Sequence, residues 1–259
     1  MKKTALITGA SSGIGKELAR LHASKYGDLV LVARRKEALQ ELKTELEKKH
    51  GIQVLVIQKD LSKPGAATEV YEEVIAAGID IEYLINNAGF GGHGKFHERN
   101  WTSDQQMIQL NIMALTELTR MFLPDMVKRN KGKILNSAST AGYLPGPLQA
   151  VYFATKAYVI SFGLAISEEL SDTNITVTSL CPGPVETEFA SVANAEDTKL
   201  FKNAESAKSV ASKGYAGMEK GKLEVITNLS LKIQLKFLTP FVPNKLILKA
   251  SRSVMEKND

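Results

Sequence analysis

The sequence predicts a single α/β domain built on a doubly wound parallel sheet. Strand-length runs of apolar, β-branched residues alternate with helix-length amphipathic runs along most of the chain, as right-handed βαβ units require. Several strand-length runs, 29–32 among them, are apolar at every position, which indicates burial on both faces of the sheet. The predicted strands are 5–8, 29–33, 54–58, 83–86, 133–137, 176–180 and 223–227. The predicted helices lie near 13–26, 36–49, 65–77, 103–129, 150–171 and 205–219.

Length and composition limit the class of protein. The chain has 259 residues, of which 44% are hydrophobic and 24% are charged, so disordered, collagenous and low-complexity proteins are excluded. This length suits one α/β domain, to which we assign residues 1–228, with 229–259 as a C-terminal extension. The single cysteine, Cys181, excludes an internal disulfide and a zinc site built on paired cysteines. A reducing, cytoplasmic compartment is therefore expected.

The apolar segments predict neither a signal peptide nor a membrane span. The first apolar run covers only residues 5–7, whereas a signal peptide needs roughly 7–15 apolar residues. A membrane-spanning helix needs about 18 uninterrupted apolar residues, and no apolar run in the chain approaches that length.

The net charge of +5 is concentrated at the C-terminus. Residues 229–259 hold six basic and two acidic side chains, so the body of the chain is nearly neutral. A neutral body argues against a nucleic-acid binder. The charged residues of the extension are Lys232, Lys236, Lys245, Lys249, Arg252, Glu256, Lys257 and Asp259.

A glycine-rich turn follows the first predicted strand and opens the first long helix. Its sequence, TGASSGIG at 8–15, is typical of a pyrophosphate site, because glycines allow close approach and the helix N-terminus offers free N–H groups. The strand before it and the helix after it make this assignment specific. The alternative is a glycine-rich turn without a ligand. The Gly-Lys-Ser/Thr of a P-loop is missing, so an NTPase is not expected.

The residues after the second strand indicate which cofactor is bound. An NAD site usually has Asp or Glu about 20 residues beyond the glycines, where the carboxylate bonds the ribose 2′-hydroxyl. Here Ala33 is followed by Arg34 and Arg35, and a guanidinium suits a 2′-phosphate by charge and by geometry. The sequence therefore predicts NADP(H), with Arg34 as the phosphate ligand. The alternative is a solvated basic pair at the start of helix 36–49, where cations are mildly unfavourable.

Three motifs in the chain occur together in one known family. They are the glycine-rich turn, NNAG at 86–89 and YFATK at 152–156. Together they make residues 1–228 resemble the short-chain dehydrogenase/reductase family. The resemblance implies a Rossmann-type domain with seven parallel strands and helices on both faces. It also implies a homodimer or homotetramer built on the helices near 103–129 and 150–171.

The resemblance places a cofactor site on several separate parts of the chain. Asp60 and Leu61 resemble the pair beside the adenine, and the turn 87–89 resembles the support of the sheet beside the cofactor. The segment 182–187 resembles the part that contacts the nicotinamide end. The implied cofactor-binding residues are Gly9, Ser11, Ser12, Gly13, Ile14, Gly15, Arg34, Asp60, Leu61, Asn87, Ala88, Gly89, Tyr152, Lys156, Pro182, Gly183, Val185 and Thr187.

The spacing of Tyr152 and Lys156 points to acid–base chemistry. Four residues apart, they share one helix face, and a nearby ammonium is expected to lower the phenol pKa from about 10. Tyr152 then gives a proton to a carbonyl oxygen or takes one from an alcohol. Alone, the pair also fits an ordinary amphipathic helix face. The resemblance adds two catalytic residues: Ser139, which orients the same oxygen, and Asn111, which anchors a water linking Lys156 to solvent.

The residues near the predicted site are mostly apolar, and no arginine is placed for a carboxylate substrate. We expect an NADPH-dependent reductase of a hydrophobic ketone, aldehyde or 3-oxoacyl group. The segments FLPDM at 122–126 and AVYFATKAY at 150–158 are similar to the branch containing 3-oxoacyl-thioester reductases and 17β-hydroxysteroid dehydrogenases. The alternatives are a nucleotide-sensing protein without turnover, and epimerisation or dehydration on the same fold. The apolar candidates for the pocket are Phe90, Tyr143, Leu144, Pro145, Leu148, Phe153, Val185 and Phe189.

No metal site is expected. His93 and His97 have a spacing that suits a metal on a helix, but no third ligand accompanies them. We expect these histidines at the rim of the substrate pocket instead, since loops at the carboxyl ends of the strands line the crevice.

The extension after residue 228 allows more than one interpretation. Leu231, Leu235, Leu238 and Val242 share one helical face, yet the alternation across 229–237 also fits a strand. Three roles stay open. The extension packs on its own domain or a partner subunit, lies on an anionic membrane surface, or receives an acidic thioester carrier.

Overall fold

A computed structural model of the chain describes residues 3–198, 200 and 204–256. Each predicted strand is present to within one residue at either end, and the predicted doubly wound α/β fold is confirmed. The strands are β1 (Ala5–Thr8), β2 (Leu29–Ala33), β3 (Val54–Gln58), β4 (Tyr83–Asn86), β5 (Gly132–Ser137), β6 (Ile175–Cys181), β7 (Val185–Glu186), β8 (Glu205–Ser206) and β9 (Glu224–Ile226). Seven of them form one parallel sheet in the order β3-β2-β1-β4-β5-β6-β9, and β7 pairs separately with β8.

Helices cover both faces of the sheet. They are α1 (Gly13–Ala23), α2 (Lys36–His50), α3 (Ala66–Ala76), α4 (Trp101–Ile108), α5 (Leu115–Arg129), α6 (Ala150–Glu169), α7 (Phe189–Val192), α8 (Ala207–Glu219), α9 (Leu229–Ile233) and α10 (Asn244–Met255). One hydrophobic core lies between the sheet and α1, α2 and α8. A second core lies between the opposite face and α3, α5 and α6.

The strand β1 shows why the central strands are apolar at every position. Ala5 and Ile7 belong to the first core, whereas Leu6 between them belongs to the second. All three are fully buried, because successive side chains of a strand point to opposite faces of the sheet. Burying a Leu or Ile side chain contributes about 1.5–3 kcal/mol, so both layers of helices stabilise the sheet.

The predicted long helix at 103–129 consists of three segments. It starts at α4, where Asn100 caps the helix by accepting a hydrogen bond from the Ser103 N–H at 3.0 Å. A π-helical turn, Gln109–Ala114, follows, and α5 then continues to Arg129. Such a turn holds one residue more than an α-helical turn and often lies at functional sites. Asn111 lies in it.

Helix α6 is long and apolar, and it bears on the expectation that no membrane span occurs. By length and composition alone this helix could cross a membrane, and it is the one such helix among the described residues. Its mean hydropathy is high because one side of the helix packs directly against the sheet, where Val159, Gly163 and Ile166 are buried. A buried core helix meets the same criterion as a membrane helix.

The C-terminal extension is helical, so the alternative of a strand is wrong. After α9 the chain continues as a π-helical turn (Gln234–Leu238) and a 3-10 turn (Thr239–Phe241), and α10 follows. Pro240 lies in the first turn of the 3-10 segment and Pro243 directly precedes α10, two positions where proline fits because it lacks an N–H. Lys257 and Asp259 lie outside the described residues.

Candidate active site

A cleft of about 1270 Å³ lies at the carboxyl ends of the sheet strands. It spans the point between β1 and β4 where the strand order reverses, the usual ligand site of a doubly wound sheet. Gly15 and Asn111 lie outside its surface, and every other predicted site residue lines it. These are Gly9, Ser11, Ser12, Gly13, Ile14, Arg34, Asp60, Leu61, Asn87, Ala88, Gly89, Ser139, Tyr152, Lys156, Pro182, Gly183, Val185 and Thr187.

The glycine-rich turn forms a narrow cradle at one end of the cleft. Gly9 has φ +67°, and a Cβ atom there would lie 2.9 Å from Ala88 Cα. A Cβ on Gly15 would lie 2.4 Å from the Gly9 carbonyl oxygen, so only glycine fits. The side chain of the N-cap residue Ser12 makes no capping hydrogen bond. The first turn of α1 therefore presents its N–H groups to an anion.

Two arginines line the cleft beside this cradle. Arg35 donates hydrogen bonds to Ser11 Oγ at 3.3 Å and pairs with Glu188 at 2.9 Å. This pairing lowers the pKa of the Glu188 carboxyl, which also bonds Ser12. Arg34 is exposed at the edge of the cleft. Two guanidinium groups, the glycine cradle and the absence of a carboxylate at Ala33 fit a cofactor with a 2′-phosphate.

A hydrogen-bond network fixes the turn after β4 against the glycine-rich turn. Thr8 Oγ1 accepts from the N–H groups of Asn87 and Ala88, both at 2.9 Å. The Asn87 side chain donates to the Thr8 carbonyl at 3.0 Å and accepts from Ser137 Oγ at 3.2 Å. The predicted role of Asn87 as a support of the sheet agrees with these contacts. Thr8 was not predicted, because a threonine at a strand end carries no signal by itself.

Ser139, Tyr152 and Lys156 form a buried cluster in the middle of the cleft. Tyr152 and Lys156 lie one turn apart on α6, and Lys156 Nζ is 5.8 Å from the centre of the Tyr152 ring. The ammonium donates a hydrogen bond of 2.6 Å to the Ser137 carbonyl oxygen. Ser139 hydrogen-bonds the Tyr152 phenol, and its Oγ accepts from the Ala141 N–H at 3.1 Å. The structure thus brings together three of the four predicted catalytic residues.

The pKa of Tyr152 differs from the expectation. Burial raises it from 10.0 to about 12, although the hydrogen bond from Ser139 opposes the change. Burial also lowers the pKa of Lys156 from 10.5 to about 8. The predicted lowering of the phenol pKa by the ammonium is therefore wrong for this structure, because desolvation of the phenolate sets the direction of the shift. The phenol is protonated at neutral pH, the state that can give a proton away.

Asn111 lies behind the cleft surface, in the π-helical turn. Its amide donates to the Phe90 carbonyl and to Thr155 Oγ1, both at 3.0 Å, and its Oδ1 accepts from the Phe90 N–H at 3.2 Å. A Cβ on Gly89 would lie 3.0 Å from Asn111 Oδ1 and 3.4 Å from Lys156 Nζ. Asn111 and Lys156 thus flank the same glycine. Thr155, the buried partner of Asn111, was not predicted.

The substrate end of the cleft is apolar, but its lining differs in part from the prediction. Tyr143, Pro145 and Leu148 do not line it. The Tyr143 hydroxyl instead hydrogen-bonds Glu224, and the Lys236 ammonium lies 4.7 Å from its ring centre. The predicted residues that do line the cleft are Phe90, Leu144, Phe153, Val185 and Phe189. Residues of the C-terminal extension complete the wall: Leu231, Leu235, Leu238, Val242, Leu246, Ile247, Ala250, Val254 and Met255.

Gln149 is a polar residue of this wall that the sequence did not reveal. It caps the N-terminus of α6, three residues before Tyr152, and only 2% of it is exposed. Within the described part of the chain, its Nε2 has no hydrogen-bond partner. A buried amide without a partner is costly. Gln149 contributes to the cleft wall, and its Nε2 is buried within that wall.

His93 and His97 take part in separate contacts in the structure. No group of three metal-binding side chains occurs among the described residues. His93 does not line the cleft, and its Nε2 lies 2.7 Å from the Met255 carbonyl oxygen, so it ties the end of α10 to the loop after β4. His97 is exposed beside Glu98. The expected place at the pocket rim is wrong for His93, because α10 covers that side of the loop.

Known proteins resemble this chain in sequence and in fold. The family model for short chain dehydrogenases matches residues 3–198. The chain is 39% identical over 215 residues to the NADP-dependent 3-hydroxy acid dehydrogenase of Schizosaccharomyces pombe, covering 78% of this chain and 81% of that protein. It is 34% identical over 195 residues to the very-long-chain 3-oxoacyl-CoA reductase of Anas platyrhynchos, covering 73% of this chain and 61% of that protein. A short-chain dehydrogenase from Sphingobium yanoikuyae in complex with NADPH has a TM-score of 0.84 at 32% identity, over 92% of each chain.

Proposed function

Because the chain belongs to the short-chain dehydrogenase family, we propose that it reduces a hydrophobic carbonyl compound to an alcohol, with Tyr152 as the proton donor. The family assignment rests on the match over residues 3–198 and on the 39% identical relative. The chain is an NADP(H)-dependent oxidoreductase, as its relatives and the NADPH-bound structural neighbour support. The observation that carries the proposal is the buried cluster of Ser139, Tyr152 and Lys156 facing an apolar cleft.

The cluster provides proton donation at a fixed place. Bound NADPH supplies the hydride that reduces the carbonyl carbon. Tyr152 gives its phenolic proton to the carbonyl oxygen, and the Ser139 hydroxyl beside it holds that oxygen as charge develops. Lys156, fixed by the Ser137 carbonyl, stabilises the phenolate that remains. Asn111 positions Lys156 from behind through the backbone of 89–90.

The lining of the cleft supports a substrate with an apolar body and a second oxygen. Phe153, Phe189 and the extension offer apolar surface, whereas Gln149, three residues before Tyr152, holds an unpartnered amide donor buried in the wall. A 3-oxoacyl group has an acyl oxygen two carbons from the reacting carbonyl, and this oxygen is a suitable acceptor. Two relatives act, by name, on 3-hydroxy acids and on 3-oxoacyl-CoA. We propose a 3-oxoacyl compound with a hydrophobic chain as the preferred substrate class.

Assembly and location are further parts of the proposal. The exposed Met113 and Tyr158 lie on the helical segments 101–129 and 150–169, which supports a homodimer or homotetramer formed through these helices. The single cysteine, Cys181, is buried and free, which supports the cytoplasm.

The test of the proposal is oxidation of NADPH, followed by its near-ultraviolet absorbance, with aldehydes, ketones, 3-oxoacyl thioesters and ketosteroids. NADH runs in parallel. We expect turnover with NADPH and highest kcat/KM for hydrophobic 3-oxoacyl thioesters. Tight NADPH binding without turnover of any substrate would favour the nucleotide-sensing alternative. Conversion of a substrate without net NADPH oxidation would favour epimerisation or dehydration.

Replacement of Arg34 by alanine is expected to weaken NADPH binding selectively. Loss of a charge-assisted phosphate contact corresponds to a rise of about tenfold or more in KM for NADPH, with KM for NADH nearly unchanged. The matched variant is Arg35→Ala, whose side chain is held by Ser11 and Glu188. If Arg35→Ala shows the NADPH defect and Arg34→Ala does not, the phosphate ligand is Arg35.

The rate of carbonyl reduction is expected to fall as the pH rises through about 8, the pKa to which burial lowers Lys156. Below this pH the ammonium is charged and stabilises the Tyr152 phenolate formed by proton transfer. Above it the charge is lost while Tyr152, with a pKa raised to about 12, still holds its proton. The measurement is kcat against pH for the wild type and for Lys156→Met. A wild-type rate that stays constant across pH 8 would contradict this assignment.

Replacement of Gln149 by leucine is expected to affect one class of substrate only. For a 3-oxoacyl thioester, loss of the hydrogen bond raises KM by about tenfold. For a simple hydrophobic aldehyde without a second oxygen, KM stays unchanged. Because Nε2 has no protein partner among the described residues, the variant is expected to fold as the wild type does. Equal changes for both substrates would show that Gln149 does not recognise the second oxygen.

A further inference from the structure

The C-terminal segment 229–255 carries an exposed apolar surface. Of the 18 large hydrophobic residues exposed among the described ones, nine lie in this short segment, so the apolar surface is concentrated there. Leu229, Phe237 and Phe241 are 71%, 62% and 85% exposed, and none of them lines the cleft. They point away from the protein and have no role in the site described above.

Cations accompany this apolar surface. Lys232, Lys245 and Lys249 are exposed, and none of them has an ion-pair partner within the described part of the chain. On α10 the two lysines lie on one side of the helix, whereas Leu246 and Val254 lie on another. Amphipathic helices with basic and apolar faces bind at the boundary between lipid headgroups and acyl chains.

The same segment also lines the cleft. Leu238, Val242, Leu246 and Val254 line the cleft wall, yet each of them remains between 38% and 59% exposed. Two of these lining residues are direct neighbours in sequence of the exposed Phe237 and Phe241. A surface that binds lipid here would bring the cleft close to the acyl-chain layer.

We propose that the segment 229–255 docks the protein peripherally on a bilayer containing anionic lipid. Charge complementarity favours an anionic bilayer as the partner of this surface, because clustered lysines near exposed apolar side chains are attracted to anionic headgroups. A second copy of the chain is disfavoured, because a two-fold interface would place the lysines of one protomer against those of the other. Lysine is also depleted in protein interfaces.

The bilayer then serves as a reservoir for the apolar substrate. This consequence rests on the proposed function, since it requires that the substrate be hydrophobic. The docking itself does not depend on catalysis, so binding to vesicles and turnover can be measured separately.

Flotation of the full-length protein with vesicles tests the proposal. The vesicles are phosphatidylcholine alone or phosphatidylcholine mixed with phosphatidylglycerol. We expect flotation with the mixed vesicles, little with phosphatidylcholine, and loss of binding at high salt. The double variant Lys245→Glu/Lys249→Glu is expected to lower partitioning by about tenfold or more. The variant Phe237→Ser/Phe241→Ser lowers it through loss of apolar contact, with turnover of a water-soluble carbonyl unchanged.

Two matched controls test whether flotation depends on this surface or only on the net charge and exposed hydrophobic residues of the protein in general. Lys48→Glu/Lys49→Glu makes the same change in net charge on exposed lysines at the end of α2, and Tyr26→Ser removes an aromatic residue that is 68% exposed elsewhere. Both are expected to float as the wild type does. Absence of flotation at low salt overturns the proposal. So does self-association in sedimentation that Phe237→Ser/Phe241→Ser abolishes, since the surface then binds a second copy.

Discussion

Replacement of Tyr152 by phenylalanine is expected to lower kcat by about 10²–10⁴-fold, the usual contribution of a positioned general acid. The change removes the phenolic proton and its hydrogen bond to Ser139 but leaves the ring. The ring packs against Phe189 at a centroid distance of 5.2 Å, so the cleft keeps its shape. The dissociation constant of NADPH, measured by fluorescence titration, is expected to stay within about twofold, because only the catalytic proton is lost.

The control for this prediction lies on the same helix. Tyr158→Phe removes a hydroxyl that is 3.0 Å from Thr116 Oγ1, on the exposed side of α6. This variant is expected to turn over at the wild-type rate. Full activity of Tyr152→Phe would show that another group donates the proton, and the proposed mechanism would be rejected.

Replacement of Gly15 by alanine is expected to disable cofactor binding. The added Cβ would lie 2.4 Å from the Gly9 carbonyl oxygen and 2.5 Å from Asn87 Nδ2, so the turn would have to open. Because the Asn87 amide bonds the Thr8 carbonyl, the displacement extends to the turn after β4. We expect the dissociation constant of NADPH to rise by about a hundredfold, equivalent to about 2.8 kcal/mol.

The stability of the fold is measured in the same variant by thermal unfolding without cofactor. Gly51→Ala is the matched control, because Gly51 has φ +63°, ends α2 and has open space around its Cα. This control is expected to lose about 1 kcal/mol of stability and to bind NADPH as the wild type does. If Gly15→Ala binds NADPH normally, the turn has room for a side chain and the fit of the cradle to a pyrophosphate is wrong.

The sheet could be predicted from the sequence because its strands are buried on both faces. Runs such as Leu29–Ala33 are apolar at every position, so they are recognisable as buried strands. The helices between such runs repeat at regular intervals. The C-terminal extension lacked such a signal. Its apolar residues at 229–237 fit two periods at once, and the structure resolves the ambiguity through α9 and a π-helical turn. A π-helical turn does not follow the period of an α-helix, so no pattern based on that period finds it.

The cofactor end of the site was predictable from motifs, whereas the substrate end was not. The glycine-rich turn and the spacing of Tyr152 and Lys156 can each be recognised within a short stretch of the sequence. Glu188 acquires its role only through its contact with the distant Arg35, and Gln149 only through its place in the folded cleft wall. Tyr143 was expected in the pocket because of its position near Ser139, but a hydrogen bond with Glu224 turns it toward β9. The raised pKa of Tyr152 depends on burial, which a sequence does not state.

The π-helical turn at Gln109–Ala114 also restricts which insertions and deletions this chain tolerates. Removing one residue there would convert the turn to a regular helix and rotate α4 relative to α5 by about 100°. Met107, fully buried in the cluster around Tyr152 and Phe153, would leave that cluster. Asn111 would lose its contact with Thr155. The number of residues in this stretch is therefore as constrained as their identity.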